Sequence, residues 1–266
     1  MMTQLIEFEN KEGDIPRALL DQAESKVGVV FVHGFERTTI ESKFKNIVEQ
    51  LKGKVNLWRF GFSGVGLSDG KFEDLTVNKL ASELVVAIKV FQQQCPEIKK
   101  IYLIGHSLAC CIIISALATK SIIADRLILL APAFNQQDLL RYWFARSQNK
   151  DKVIMWANYQ EYLDEVAFIK DTEQDNRMIK EHYLKNQYWL ENRDVNYQKM
   201  FVDIDLLWEN LLIIHGLADD KVPLESNGQL PLDCSLLKIE KGDHDLQRPD
   251  MVEQYLDKVI NFILNV

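Results

Sequence analysis

The sequence predicts an α/β fold in which a mostly parallel sheet carries crossover helices on both faces. Short apolar, β-branched runs alternate along the chain with longer amphipathic ones, the rhythm of strand–helix–strand units. Several of those runs, such as 26–32 and 211–215, suit strands buried on both faces. With 266 residues, 47% of them hydrophobic, the chain can bury a large core as one domain carrying an insertion.

Taken in order, residues 4–9 and 15–21 read as an antiparallel pair around Glu12-Gly13-Asp14. Further strands are expected at 26–32, 55–60, 101–105, 126–131, 210–215 and 235–240, with helices at about 40–52, 75–94, 107–119 and 250–264. Residues 134–205 break the rhythm. They have helical periodicity and many aromatics but no convincing strand, and the stretch is too long for an ordinary connection. The expectation is a helical cap of 134–205 on a core domain of 1–133 and 206–266. Most of its aromatics, Tyr142, Trp143, Phe144, Trp156 and Tyr188 among them, should pack the cap and a few should touch a substrate.

Lys and Arg total 31 against 39 Asp and Glu, a formal charge of −8 that opposes attraction to nucleic acid or an anionic membrane. The N-terminus lacks the basic and apolar regions of a signal peptide and no apolar run reaches bilayer-spanning length, so a cytoplasmic protein is the default expectation. Cys95, Cys110, Cys111 and Cys234 have no CxxC spacing and read as reduced packing residues. There is no internal repeat and no phosphate-cradling glycine loop.

Chemistry concentrates at Ile101-Tyr102-Leu103-Ile104-Gly105-His106-Ser107-Leu108-Ala109-Cys110, an apolar strand that turns through small residues into an apolar helix. Such a turn holds the serine in a strained conformation and needs small neighbours, which Gly105 and Ala109 provide. Taken alone, a serine there could serve only as a helix N-cap. A nucleophilic serine needs a base, and the base needs an acid to orient it. Leu211–Pro223 is a strand ending in a loop with Asp219 and Asp220, and Leu236–Asp245 is a strand ending at His244. His33, His106 and His215 lie at strand ends beside a glycine or the serine and read as turn-shaping, while His182 falls in the insertion. His244 is therefore the expected base, and Asp219 and Asp220 are the candidates for the acid. Asp243 and Asp245 adjoin the histidine too closely to orient it and read as solvated. The developing oxyanion needs two donors. The Leu108 N–H is one candidate, and the Phe35 N–H, after the close-approach residue Gly34, is the other.

Together these segments resemble the α/β-hydrolase superfamily, particularly small bacterial esterases and serine-aminopeptidase-like members, over roughly 1–133 and 206–266. The Phe60–Val77 stretch looks like a turn of those proteins and its tail resembles cinnamoyl and feruloyl esterases, with Gly61 and Ser63 where the turn usually has Asp and Arg, so a structural ion pair is expected to be missing. The resemblance implies an α/β-hydrolase fold and the chain order Ser107, Asp219, His244 for a catalytic triad. The expected activity is hydrolysis of a small-molecule carboxylic ester through an acyl-enzyme on Ser107, with no metal or organic cofactor. The alternatives are a thioesterase or acyltransferase with the same residues and, in another class, a noncatalytic ligand-binding protein on the same scaffold.

Overall fold

The computed structural model describes residues 2–179, 182–228, 230 and 234–265. In chain order these form β1 (Gln4–Glu7), β2 (Arg17–Asp21), β3 (Val27–Val32), α1 (Ser42–Leu51), β4 (Asn56–Gly61), α2 (Val77–Gln94), β5 (Lys100–His106), α3 (Leu108–Ala118) and β6 (Arg126–Leu130). There follow α4 (Gln136–Gln148), α5 (Glu165–Thr172), β7 (Arg177–Ile179), β8 (His182–Leu184), α6 (Gln187–Asn192), α7 (Tyr197–Val202), β9 (Leu211–Gly216), β10 (Ser235–Ile239) and α8 (Pro249–Leu264). The main sheet has the order β1-β2-β4-β3-β5-β6-β9-β10. Its first two pairings, β1 with β2 and β2 with β4, are antiparallel, and the other five are parallel.

The uninterrupted apolar runs have a direct structural cause. In β5, Ile101 and Leu103 face one core and Tyr102 and Ile104 the other. The same division separates Val30 and Val32 from Val29 and Phe31 in β3, and Leu211 and Ile213 from Leu212 and Ile214 in β9. Successive strand side chains point to opposite faces, so a strand covered by helices on both sides must be apolar throughout. Helices α2 and α3 supply one cover, and α1 and α8 the other. Helix α3 is apolar all round because it is buried all round, from Leu108 to Ile114. Its Cys110 and Cys111 are packing residues of that kind.

Each expected strand and helix of the core lies within two residues of the observed one. The 134–205 stretch differs in one respect. Besides α4 to α7 it contains the β7–β8 hairpin, whose three-residue strands are too short to show an alternating pattern. An isolated pair of that length is marginal. It is held by the 60–77 segment, where the Lys185 N–H donates to Glu73 O at 3.0 Å and the His182 ring lies 4.7 Å from Phe72. In that same segment, where Gly61 and Ser63 leave no Asp–Arg pair between those positions, other groups tie the turn down. Buried Glu83 accepts from the Ser63 N–H at 2.9 Å and from its hydroxyl, while Arg17 pairs with Asp69 at 2.7 Å. Among the described residues no helix is long and apolar enough to cross a membrane.

Candidate active site

Ser107 follows β5 directly, and its backbone has φ 58° and ψ −120°, a conformation that costs an L-residue of order 1–3 kcal/mol. Although it is the N-cap residue of α3, its side chain makes no capping hydrogen bond. The hydroxyl goes instead to His244, with Oγ 2.9 Å from Nε2. Close packing enforces the turn. A Cβ on Gly105 would lie 2.6 Å from Ile113 Cδ1 and 3.5 Å from the Ala109 methyl, so a side chain there would have to displace the end of Ile113 where strand and helix meet.

His244 Nδ1–H donates to Asp219 Oδ2 at 2.8 Å. The other oxygen, Oδ1, accepts the backbone N–H groups of Val222 at 2.8 Å and Lys221 at 3.0 Å. Burial works against the Asp219 charge, but the adjacent His215 ring, the His244 N–H and the Val222 N–H overcome it and hold the carboxyl down at about 2. With Asp219 ionised, His244 carries its proton on Nδ1 and turns a free lone pair on Nε2 toward Ser107. Asp220 points elsewhere, its Oδ2 paired with Arg146 at 3.0 Å on the surface.

The turn after β3 completes the arrangement. A Cβ on Gly34 would lie 2.8 Å from His106 O and 3.3 Å from Ser107 Cβ, so only glycine lets this turn approach the serine. The Phe35 ring is fixed between Phe72 and Tyr188, each 5.4 Å away centre to centre. Phe35 and Leu108, together with Ser107 and His244, line a cavity of 480 Å³. Its remaining wall is largely apolar, with Leu140, Trp143, Phe144, Phe168 and Trp189 among its members. Tyr142, Trp156 and Tyr159 instead pack on one another away from it.

The other buried histidines hold loops. The Phe62 N–H donates to His33 Nε2 at 3.1 Å while His33 Nδ1–H donates to Gly34 O at 3.0 Å. His106 Nε2–H donates to the His244 carbonyl at 2.8 Å, tying the serine turn to the histidine loop. His215 Nε2–H donates to Val222 O at 2.8 Å. Asp245, expected to be solvated, is only 22% exposed and accepts from Arg37 at 2.7 Å and from Lys221 at 3.3 Å. A pattern of neighbours in the chain carries no signal for the His33–Phe62, His106–His244 and Asp245 contacts, because their partners come from other loops.

His33 makes acid stability testable. Burial pushes its pKa down to about 4, and His106 falls well below the ordinary value for the same reason. A folded-state pKa below the unfolded one means that the stabilisation is complete above about pH 6.5 and is lost as pH falls toward 4. For His33 alone this amounts to about 3 kcal/mol. Urea midpoints measured from pH 7 to pH 4 should fall accordingly. His33→Gln, whose amide oxygen can accept the Phe62 N–H without titrating, should weaken that dependence, and an unchanged slope in the variant would exclude His33 as its source.

The family model described as serine aminopeptidase, S33 matches residues 23–191, a span that includes Ser107 and most of 134–205 and ends before Asp219 and His244. No curated protein matches the sequence. Among solved structures, the chain is similar to Est1E from Butyrivibrio proteoclasticus with bound ferulic acid, at 23% identity, 98% coverage of both chains and a TM-score of 0.73. It is also similar to the Pyrococcus furiosus esterase Pf2001, at 17% identity, covering 99% of this chain and 90% of that one, with a TM-score of 0.71. Mouse alpha/beta hydrolase domain-containing protein 10 matches at 16% identity, 98% coverage of both chains and a TM-score of 0.65. At these identities the likeness is one of fold.

Proposed function

The chain belongs to the serine aminopeptidase S33 family of hydrolases and has the α/β-hydrolase fold, and from that premise we propose that it cleaves carboxylic esters through an acyl-enzyme on Ser107. The observation that carries the proposal is the continuous chain from Ser107 Oγ through His244 to Asp219, with links of 2.9 and 2.8 Å, at the wall of the cavity. In this reading His244 Nε2 takes the hydroxyl proton as Oγ attacks the ester carbonyl, then gives it to the departing alkoxide. The Phe35 and Leu108 N–H groups stabilise the oxyanion; neither has an acceptor among the described residues, and Leu108 stands in the first turn of α3, where helix amides lack internal partners. Water deprotonated by His244 then releases the acid. We assign 134–205 as a cap on a core of 1–133 and 206–266, because its side chains supply much of the apolar wall facing Ser107.

A cavity of 480 Å³ whose wall is mostly apolar, with Arg37, Asp171, Arg177 and Lys221 also on it, lies within the usual range for small-molecule sites and suits a medium acyl or an aryl group. Labelling by a fluorophosphonate probe that disappears in Ser107→Ala is the expected result, and a well-folded wild type that takes no label would overturn the proposal. Across p-nitrophenyl esters of increasing acyl length, kcat/KM should be higher for medium chains than for acetate, and a flat profile would count against an acyl-binding cavity. Acyl thioesters in the same panel separate an esterase from a thioesterase by the ratio of kcat/KM values.

A further inference from the structure

We propose that Asp245 is a positioning residue whose carboxylate clasps together the three loops that carry the candidate oxyanion donor, acid and base; the proposal rests on the serine-hydrolase reading above. Its Oδ1 takes the Arg37 guanidinium at 2.7 Å and its Oδ2 the Lys221 ammonium at 3.3 Å. Each partner is built into the site by its backbone. The Arg37 N–H donates to Gly34 O at 3.3 Å and closes the turn that presents Phe35. The Lys221 N–H donates to Asp219 Oδ1 at 3.0 Å. Asp245 itself is the residue after His244. One carboxylate thus joins residues 34–37, 219–222 and 244–245, which come from the ends of β3, β9 and β10.

The clasp is anchored from behind. Arg37 also pairs with Glu41 at 3.3 Å, and Glu41 pairs with the fully buried Lys43 at 3.0 Å. Burial opposes the Asp245 charge, and Arg37, Lys221 and Lys43 hold its pKa below the usual carboxylate range. An ordinary exposed ion pair contributes little to stability. This one is three-quarters buried at the anion and spans separate loops, so its effect is on geometry. Asp245 does not line the cavity, whereas Arg37 and Lys221 do, so removing the carboxylate alters loop placement without removing a substrate contact. Misplacing a reacting group by about 1 Å can cost on the order of a hundredfold in rate.

The test is steady-state kinetics on p-nitrophenyl esters with fluorophosphonate labelling in parallel. Asp245→Asn should lower kcat by roughly tenfold or more, with KM within about twofold and labelling slowed in proportion. Arg37→Gln and Lys221→Met change the charge in the opposite direction and should nevertheless also lower kcat. The Arg37→Gln/Asp245→Asn double variant should be no slower than the slower single one, as expected of residues acting as a unit. If the cationic variants raise kcat while Asp245→Asn lowers it, the effect is one of local field and the clasp is overturned. It is likewise overturned if the wild type turns over and Asp245→Asn keeps its kcat. A wild type that neither turns over nor labels defeats the hydrolase reading itself, a result distinct from either of these.

Discussion

Ser107→Ala should lower kcat by about a millionfold, the scale on which removal of a serine nucleophile is felt, while leaving the fold intact. Among the described residues Ser107 Oγ is hydrogen-bonded to His244 Nε2 alone, and it caps no helix, so its loss leaves no backbone group unsatisfied. The backbone at this position, φ 58° and ψ −120°, is one that glycine adopts freely. Ser107→Gly should therefore be as inactive as the alanine variant yet more stable than wild type, by about 1 kcal/mol or a few degrees in melting temperature. Calorimetry beside kinetics separates the two roles. A serine kept only for structure would show no loss of turnover, and a Ser107→Gly variant less stable than wild type would remove the argument for strain.

Asp219→Asn should cost kcat about ten-thousandfold at neutral pH with little change in melting temperature. The asparagine oxygen can still accept the Val222 and Lys221 N–H groups at the Oδ1 position, which forces its NH₂ toward His244 Nδ1. A donor there demands an acceptor, so the imidazole moves its proton to Nε2 and can no longer accept one from Ser107. The loop is kept and the tautomer is reversed. Asp220→Asn is the control, since Asp220 pairs with Arg146 on the surface, and it should keep full activity. If the two variants lost activity equally, the acid would be wrongly assigned.

The core of the fold was legible because it rests on local periodicity. Strands β3, β5, β6 and β9 announce burial on both faces by their unbroken apolar runs, and α2 is opened by Thr76, whose side chain accepts the Lys79 N–H. The hairpin β7–β8 was not legible, since Met178 and Tyr183 are exposed and a three-residue strand has no period to read. The Ser63–Glu83 contact was equally hidden, because α2 brings to Ser63 a carboxylate from 20 residues further along the chain.

The class of fold, the order of its elements and the segments that end in loops rich in reactive side chains are written in local pattern, since strand and helix periods are properties of neighbouring residues. Folding alone brings the Ser107 hydroxyl to His244 across 137 positions rather than onto the α3 terminus, turns Asp219 and not Asp220 to the ring, and bridges Asp245 rather than leaving it solvated. These are distances between loops, and they are set by strand order and register. β9 and β10 pair in parallel with His215 opposite Lys238, while β5 lies two strands away from β9 beyond β6, so the loops that follow all lie at the carboxyl ends of the strands.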